Sequence, residues 1–212
     1  MSKIYLEALT EAERKAFPKL GNFADLGVLA GGTALTLQLQ HRRSYDFDIF
    51  SAKIPPKTLV QKLRRVFGKI SIINNFEEEL TALTTDLKIT FIYYPFKPIY
   101  DPISDDLAIK IFDWKDIALD KVYTIGHRAQ YRDYVDLFWL IKNKNLSLGW
   151  LIQNAKKKFG DLFPEKLFLE QLIYFGDLEI KPIEFLKETS SAEEIKTFFE
   201  KIVKNYTKEK LP

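Results

Sequence analysis

Residues 28–51 read VLAGGTALTLQLQHRRSYDFDIFS, and the rest of the chain is organised around them. Val28-Leu29-Ala30 is a short apolar run of the kind that forms a strand. It meets Gly31-Gly32, where the backbone can turn tightly and a ligand can come close. Thr33 to Gln40 carries good helix formers, with Leu35 and Leu39 one turn apart. From Tyr45 to Phe50 apolar and acidic residues alternate, which is the period of a strand. Tyr45, Phe47 and Ile49 are therefore expected to enter a core, with Asp46 and Asp48 together on the opposite face. Two carboxylates side by side on a rigid strand repel each other unless a cation sits between them. The pair suits a hard divalent ion such as Mg²⁺, with Mn²⁺ as a substitute.

The glycine pair adds a second element of chemistry. The free N–H groups that open a helix after such a turn favour a phosphate. A phosphate cradle followed by a strand with paired carboxylates is equipment for nucleotidyl transfer. Each half has a plainer reading, since Gly-Gly is often only a turn and Asp-x-Asp often the wet face of an edge strand. Two other glycine motifs are set aside. No Gly-Lys-Ser/Thr marks a P-loop, and no third glycine follows at the spacing of a dinucleotide fingerprint.

Bulk composition narrows the class. The 212 residues are enough for one large domain or two small ones with a real core. Basic residues number 32 against 29 acidic, and a net charge of +3 is too small to argue nucleic-acid binding by itself. There is no cysteine, which excludes disulfides, thiolate chemistry and cysteine-based zinc sites. The polar, charged N-terminus and the lack of a long apolar run predict a cytoplasmic protein with no membrane partner.

Along the chain, the pattern predicts an opening helix over 3–17 closed by Pro18, and a helix after Thr58 stopped by Gly68. Three strand-like runs, 70–73, 80–84 and 87–94, are joined by short links that predict an antiparallel meander extending the sheet. A last strand is expected over 107–112. Helices are expected at 114–125, 131–143, 150–159 and 164–175. Ser191-Ala192-Glu193-Glu194 is a capping box opening a final helix, and a frayed tail is expected over 204–212. These elements predict an α/β (α+β) core over 1–113 and a helical region over 114–212 packed on it.

The string GGTALTLQLQHRRSYDFDIF resembles the signature of the AbiEii/AbiGii toxin family, nucleotidyltransferases of the DNA polymerase β-like superfamily. The matching residues are Gly31, Gly32, Thr33, Ala34, Leu35, His41, Arg42, Ser44, Asp46, Asp48 and Phe50. A second stretch, DIALDKVYTIGHRAQYRDYVDLFWLI over 116–141, resembles the family's later pattern at Lys121, Gly126, Arg128, Arg132, Asp133 and Asp136. The resemblance implies a polymerase-β-like mixed sheet with flanking helices and transfer of a nucleotide from an NTP to a hydroxyl of RNA, such as tRNA, or of protein. It implies Asp46 and Asp48 as Mg²⁺ ligands, and Gly31, Gly32, Thr33, Arg42 and Ser44 as the nucleotide-binding set. Arg42 would contact a phosphate or hold an aspartate in place. Lys121 would contact the triphosphate, and Asp133 would orient that lysine or touch the nucleotide. The resemblance further implies the toxin half of a toxin–antitoxin or phage-abortive system, with a separately encoded antitoxin. In one respect the chain departs from the pattern: members with a complete metal site carry a third carboxylate in a Lys-x-Asp step, and here the step reads Lys88-Ile89-Thr90. Thr90 therefore leaves open a second function, a nucleotide-binding or scaffold protein of the same fold with impaired catalysis.

Overall fold

The computed structural model describes residues 3–104, 107–128 and 130–210 and divides the chain into two compact units, Met1–Trp114 and Lys115–Pro212.

The first unit is built on a five-stranded mixed sheet in the order β1-β2-β5-β4-β3. Strand β1 (Val28–Ala30) runs antiparallel to β2 (Asp46–Ser51), which pairs in parallel with β5 (Lys88–Tyr93). Strands β3 (Ser71–Asn75) and β4 (Glu79–Leu83) complete an antiparallel meander with β5. The expected mixed sheet with helices is present. The parallel β2–β5 pair puts the Asp46/Asp48 strand in the interior of the sheet, where its geometry is held from both sides.

One face of the sheet forms the core. Phe47, Ile49, Ile89 and Phe91 are buried there. Phe17 packs on Phe47 at 6.4 Å, and Phe23 packs on Phe91 at 5.3 Å and on Phe67 at 6.0 Å between ring centroids. The rings come from an N-terminal region less regular than the sequence predicts. A short 3₁₀ turn (Leu6–Ala8), helix α1 (Glu11–Ala16) and a second 3₁₀ stretch (Phe17–Phe23) replace the single helix over 3–17. Thr10 and Glu13 form a capping box that starts a new helix there. Pro18 lies in the first turn of the following 3₁₀ stretch, where its missing N–H costs nothing.

Helix α2 (Gly31–Leu39) follows β1 directly and is buried at every position from Thr33 to Leu39. Gln38 ties it down by donating to the carbonyls of Ala34 and Phe112 and accepting from the backbone N–H of Trp114. Helix α3 (Leu59–Phe67) follows β2 and stops at Gly68, whose φ of +80° only glycine adopts freely. Thr58 stands at its N-cap position, but its side chain makes no capping bond. Two other expectations are corrected here. Tyr45 precedes β2 and is 53% exposed, because the strand begins one residue later. The stretch 107–112 forms no strand; Ile111 makes only isolated bridges to Leu29 and Ile103.

The regular elements described in the second unit are helices: α4 (Trp114–Ile125, its first residue in the first unit), α5 (Tyr131–Lys144), α6 (Leu148–Phe159), α7 (Glu165–Ile173) and α8 (Ala192–Lys210). Ser147 caps α6, and Ser191 accepts from the Glu194 N–H at the start of α8. Aromatic rings join these helices, with Phe138 on Phe198 at 5.0 Å and Tyr134 on Phe199 at 6.0 Å. The expected frayed tail is helical as far as Lys210, because α8 continues through it. Residues 211 and 212 lie outside the described residues.

Candidate active site

The strand β2 reads Asp-Phe-Asp-Ile-Phe-Ser, and burial alternates with it. Phe47 and Ile49 are fully buried on the core face, while Asp46 and Asp48 are half-buried on the other. Ala30, the last residue of β1, is in register with Asp48, so the chain turns into α2 at the side of that carboxylate. Gly31 makes the turn at φ +69°. A Cβ there would lie 2.6 Å from Asp48 Oδ2, and one on Gly32 would lie 2.7 Å from Ser44 Oγ and 2.9 Å from Arg42 Nη2. The glycines therefore let an aspartate, a serine hydroxyl and a guanidinium close onto bare backbone.

The loop that carries these groups is held from beneath. Thr33 Oγ1 donates to the Asp46 carbonyl, and Thr36 Oγ1 donates to the Arg42 carbonyl at 2.8 Å. Arg42 is buried, and its Nη1 donates to the Arg43 carbonyl at 2.7 Å. Gly31, Gly32, Thr33, Arg42, Ser44, Asp46 and Asp48 thus form one cluster. His41 is buried just before it.

Strand β5 sets the other edge. Its parallel register places Lys88 opposite Asp46 and Thr90 opposite Asp48. The Lys88 ammonium lies 2.7 Å from Asp46 Oδ2. Among the described residues no group of three or more His, Cys, Asp or Glu side chains is placed to hold a metal. The donor set is two carboxylates on one face, with the Lys88 ammonium already on Asp46. Such oxygen donors suit a hard divalent ion that fills its remaining positions with phosphate oxygens and water.

The second unit holds a different charge cluster. Lys121 on α4 and Asp133 and Asp136 on α5 are all buried. Lys121 Nζ lies 2.7 Å from Asp133 Oδ1 and 2.8 Å from Asp136 Oδ2. Asp133 Oδ2 is buried and receives no hydrogen bond among the described residues. Arg132, immediately before Asp133 in sequence, is exposed. Tyr134 donates to the Gln171 carbonyl at 2.7 Å. Burial pushes its phenol well up from the ordinary tyrosine value, helped by the carboxylates of Asp177 and Asp133, so it stays protonated. His127 is exposed and stacks on Tyr123 at 4.1 Å.

Several charged partners went unseen in the sequence. Lys158 Nζ, with no exposed side-chain surface, lies 2.9 Å from Asp116 Oδ1 and 2.6 Å from Asp120 Oδ1. The four-residue spacing of Asp116 and Asp120 on α4 was the available signal. Glu79 and Thr81 on β4, which share the Thr90 face, were also missed; only the pairing register reveals them.

The fold is that of a nucleotidyltransferase. The chain belongs to the family described as nucleotidyl transferase AbiEii toxin, type IV toxin–antitoxin system, whose model matches residues 82–211. It is 29% identical over 209 residues to an uncharacterized protein of Aquifex aeolicus (strain VF5), aq_aa25, across 95% of this chain and 98% of that one. Among solved structures, the fold is similar to that of MenT4, a nucleotidyltransferase toxin of Mycobacterium tuberculosis H37Rv. That likeness has a TM-score of 0.61 at 16% identity and covers 92% of this chain and 82% of the other. JHP933 of Helicobacter pylori is similar at TM-score 0.53 and 22% identity, over 95% and 96% of the two chains. No helix among the described residues is long and apolar enough to cross a membrane.

Proposed function

We propose that the chain transfers a nucleotidyl group from an NTP to a hydroxyl of RNA, such as tRNA, or of protein, and that Asp46 and Asp48 hold the divalent ion the reaction uses. Mg²⁺ is the expected ion and Mn²⁺ its substitute. The observation that carries this reading is the Asp48 carboxylate lying against the bare backbone of Gly31, beside Asp46 on one strand face. When bound, the ion supplies charge stabilisation to the phosphate oxygens.

The chain's own groups have separable tasks. Gly31 and Gly32 let Asp48, Ser44 and Arg42 gather at the start of α2, where backbone N–H groups favour phosphate. The Arg42 guanidinium and Ser44 hydroxyl, both next to Gly32, donate to phosphate oxygens and orient the triphosphate. Lys121, held by Asp133 and Asp136, is the second unit's candidate phosphate contact. Asp133 orients that lysine through the 2.7 Å contact of its Oδ1. The cell context that fits is a cytoplasmic toxin with a separately encoded antitoxin.

Thr90 opposite Asp48 favours a second reading, a protein that binds nucleotides without transferring them. Incubating the protein with cell extract, Mg²⁺ and each α-³²P-labelled NTP separates the two. Label on RNA or protein supports transfer. NTP binding without labelled macromolecule supports the second reading.

A further inference from the structure

Transfer requires that the accepting hydroxyl lose its proton, and the Asp48–Thr90 row of the sheet points to where the proton goes. This inference rests on the transfer reading above. On the site face, Asp48 of β2, Thr90 of β5 and Thr81 of β4 are consecutive partners across three strands. Thr81 and Thr90 are both buried, at 5% exposure each. Their hydroxyl oxygens are 3.3 Å apart. Thr81 Oγ1 is also 2.8 Å from Glu79 Oε1, and the same oxygen receives Asn74 Nδ2 at 2.8 Å.

A hydroxyl has one proton to give. The carboxylate is the nearer and stronger acceptor, so the Thr81 proton goes to Glu79. Thr90 must then donate to Thr81. Its own oxygen is left with lone pairs available on the row that ends at Asp48. The result is an ordered line, Thr90 to Thr81 to Glu79, running from the site to a carboxylate fixed by two donors. A pair of threonines that only bridged strands would need no carboxylate at the end.

We infer that Glu79, acting through Thr81 and Thr90, takes up the proton of the accepting hydroxyl. As the acceptor O–H breaks, its proton passes to Thr90 Oγ1, the Thr90 proton passes to Thr81 Oγ1, and the Thr81 proton passes to Glu79. The freed oxygen pair forms the bond to the α-phosphorus. The P–O bond between the α-phosphorus and the bridging oxygen breaks, and pyrophosphate leaves with the electron pair of that bond. Glu79 returns its proton to water. Thr90 is the member of the line that meets the substrate, and Thr81 and Glu79 position and discharge it. The strand position where a carboxylate is missing is thereby connected to one two residues along the neighbouring strand.

The test is kinetic and uses the full chain with cell extract and α-³²P-labelled NTP. Glu79→Gln and Thr81→Val should each lower kcat by about 100-fold, in the range of general-base contributions. The apparent KM for NTP, NTP binding and melting temperature should stay near wild type. Thr81→Ser keeps the hydroxyl and should recover the rate. Thr90→Asp puts a carboxylate in direct reach, so it should give the same rate whether residue 79 is Glu or Gln. Glu79→Gln with wild-type kcat would overturn the relay, as would an equal loss from Glu79→Gln in the Thr90→Asp background. An inactive wild type would instead overturn the transfer reading, and the relay with it.

Discussion

Lys121 and Lys158 make a matched pair for separating structure from chemistry. Both are buried lysines gripped by two carboxylates on helices of the second unit. Replacing either by methionine keeps most of the packed volume and removes the charge. Lys121→Met leaves Asp133 and Asp136 buried at 4% and 0% exposure; Lys158→Met leaves Asp116 at 0%. Breaking a buried pair from one side costs about 3–5 kcal/mol, because the remaining carboxylate has lost its counter-charge. For a chain of this length that is a fall in Tm of roughly 6–20 °C. Lys156, half-exposed and paired with Glu165, is the control, and its loss should cost no more than about 1 kcal/mol. Calorimetry gives the melting temperatures, and transfer is then assayed well below them. Lys121→Met should abolish transfer while Lys158→Met retains it. If the two variants melt alike and transfer alike, Lys121 is only a structural lysine. If Lys121→Met melts like wild type, the energetic argument about its burial fails.

Two further perturbations address the first unit. Gly31→Ala forces an L side chain to φ +69° and sets a Cβ 2.6 Å from Asp48 Oδ2, so it should cost about 1–3 kcal/mol and weaken Mn²⁺ binding. An alanine variant with wild-type Tm and Mn²⁺ affinity would remove the glycine from the site. Lys88→Met takes the ammonium away from Asp46 in a half-exposed pair, so stability should change by less than about 1 kcal/mol while Mn²⁺ binds more tightly. Unchanged or weaker binding would show that Lys88 does not compete with the ion for Asp46.

The sequence showed most where chemistry and periodicity coincide. In β2 the alternation of Phe47 and Ile49 with Asp46 and Asp48 determines both which residues are buried and which face carries acid, so strand and carboxylate pair are legible together. Helix α4 is legible over its full length for the same reason: its apolar residues recur at the helical period. The misses lie where tertiary context decides. The run 107–112 is apolar enough for a strand, yet Ile111 makes only isolated bridges, to Leu29 and Ile103. The polar tail reads as frayed because nothing in 204–212 signals burial, but α8 is already nucleated upstream and propagates through it. Lys158 is placed by its neighbours in space: its ammonium is claimed by Asp116 and Asp120 of another helix, which local sequence does not show. The Glu79–Thr81–Thr90 line depends on strand order and register, and local sequence specifies neither.

Direct metal binding tests whether Asp46 and Asp48 hold the ion. Mn²⁺ is titrated into wild type, Asp46→Asn and Asp48→Asn in the presence of NTP, with free ion followed by electron paramagnetic resonance and Tm measured alongside. Asparagine keeps the shape of each side chain and removes its charge. Each variant should bind Mn²⁺ about tenfold more weakly, with Tm near wild type because both carboxylates are only half-buried. Wild-type Mn²⁺ affinity in both folded variants would contradict that role.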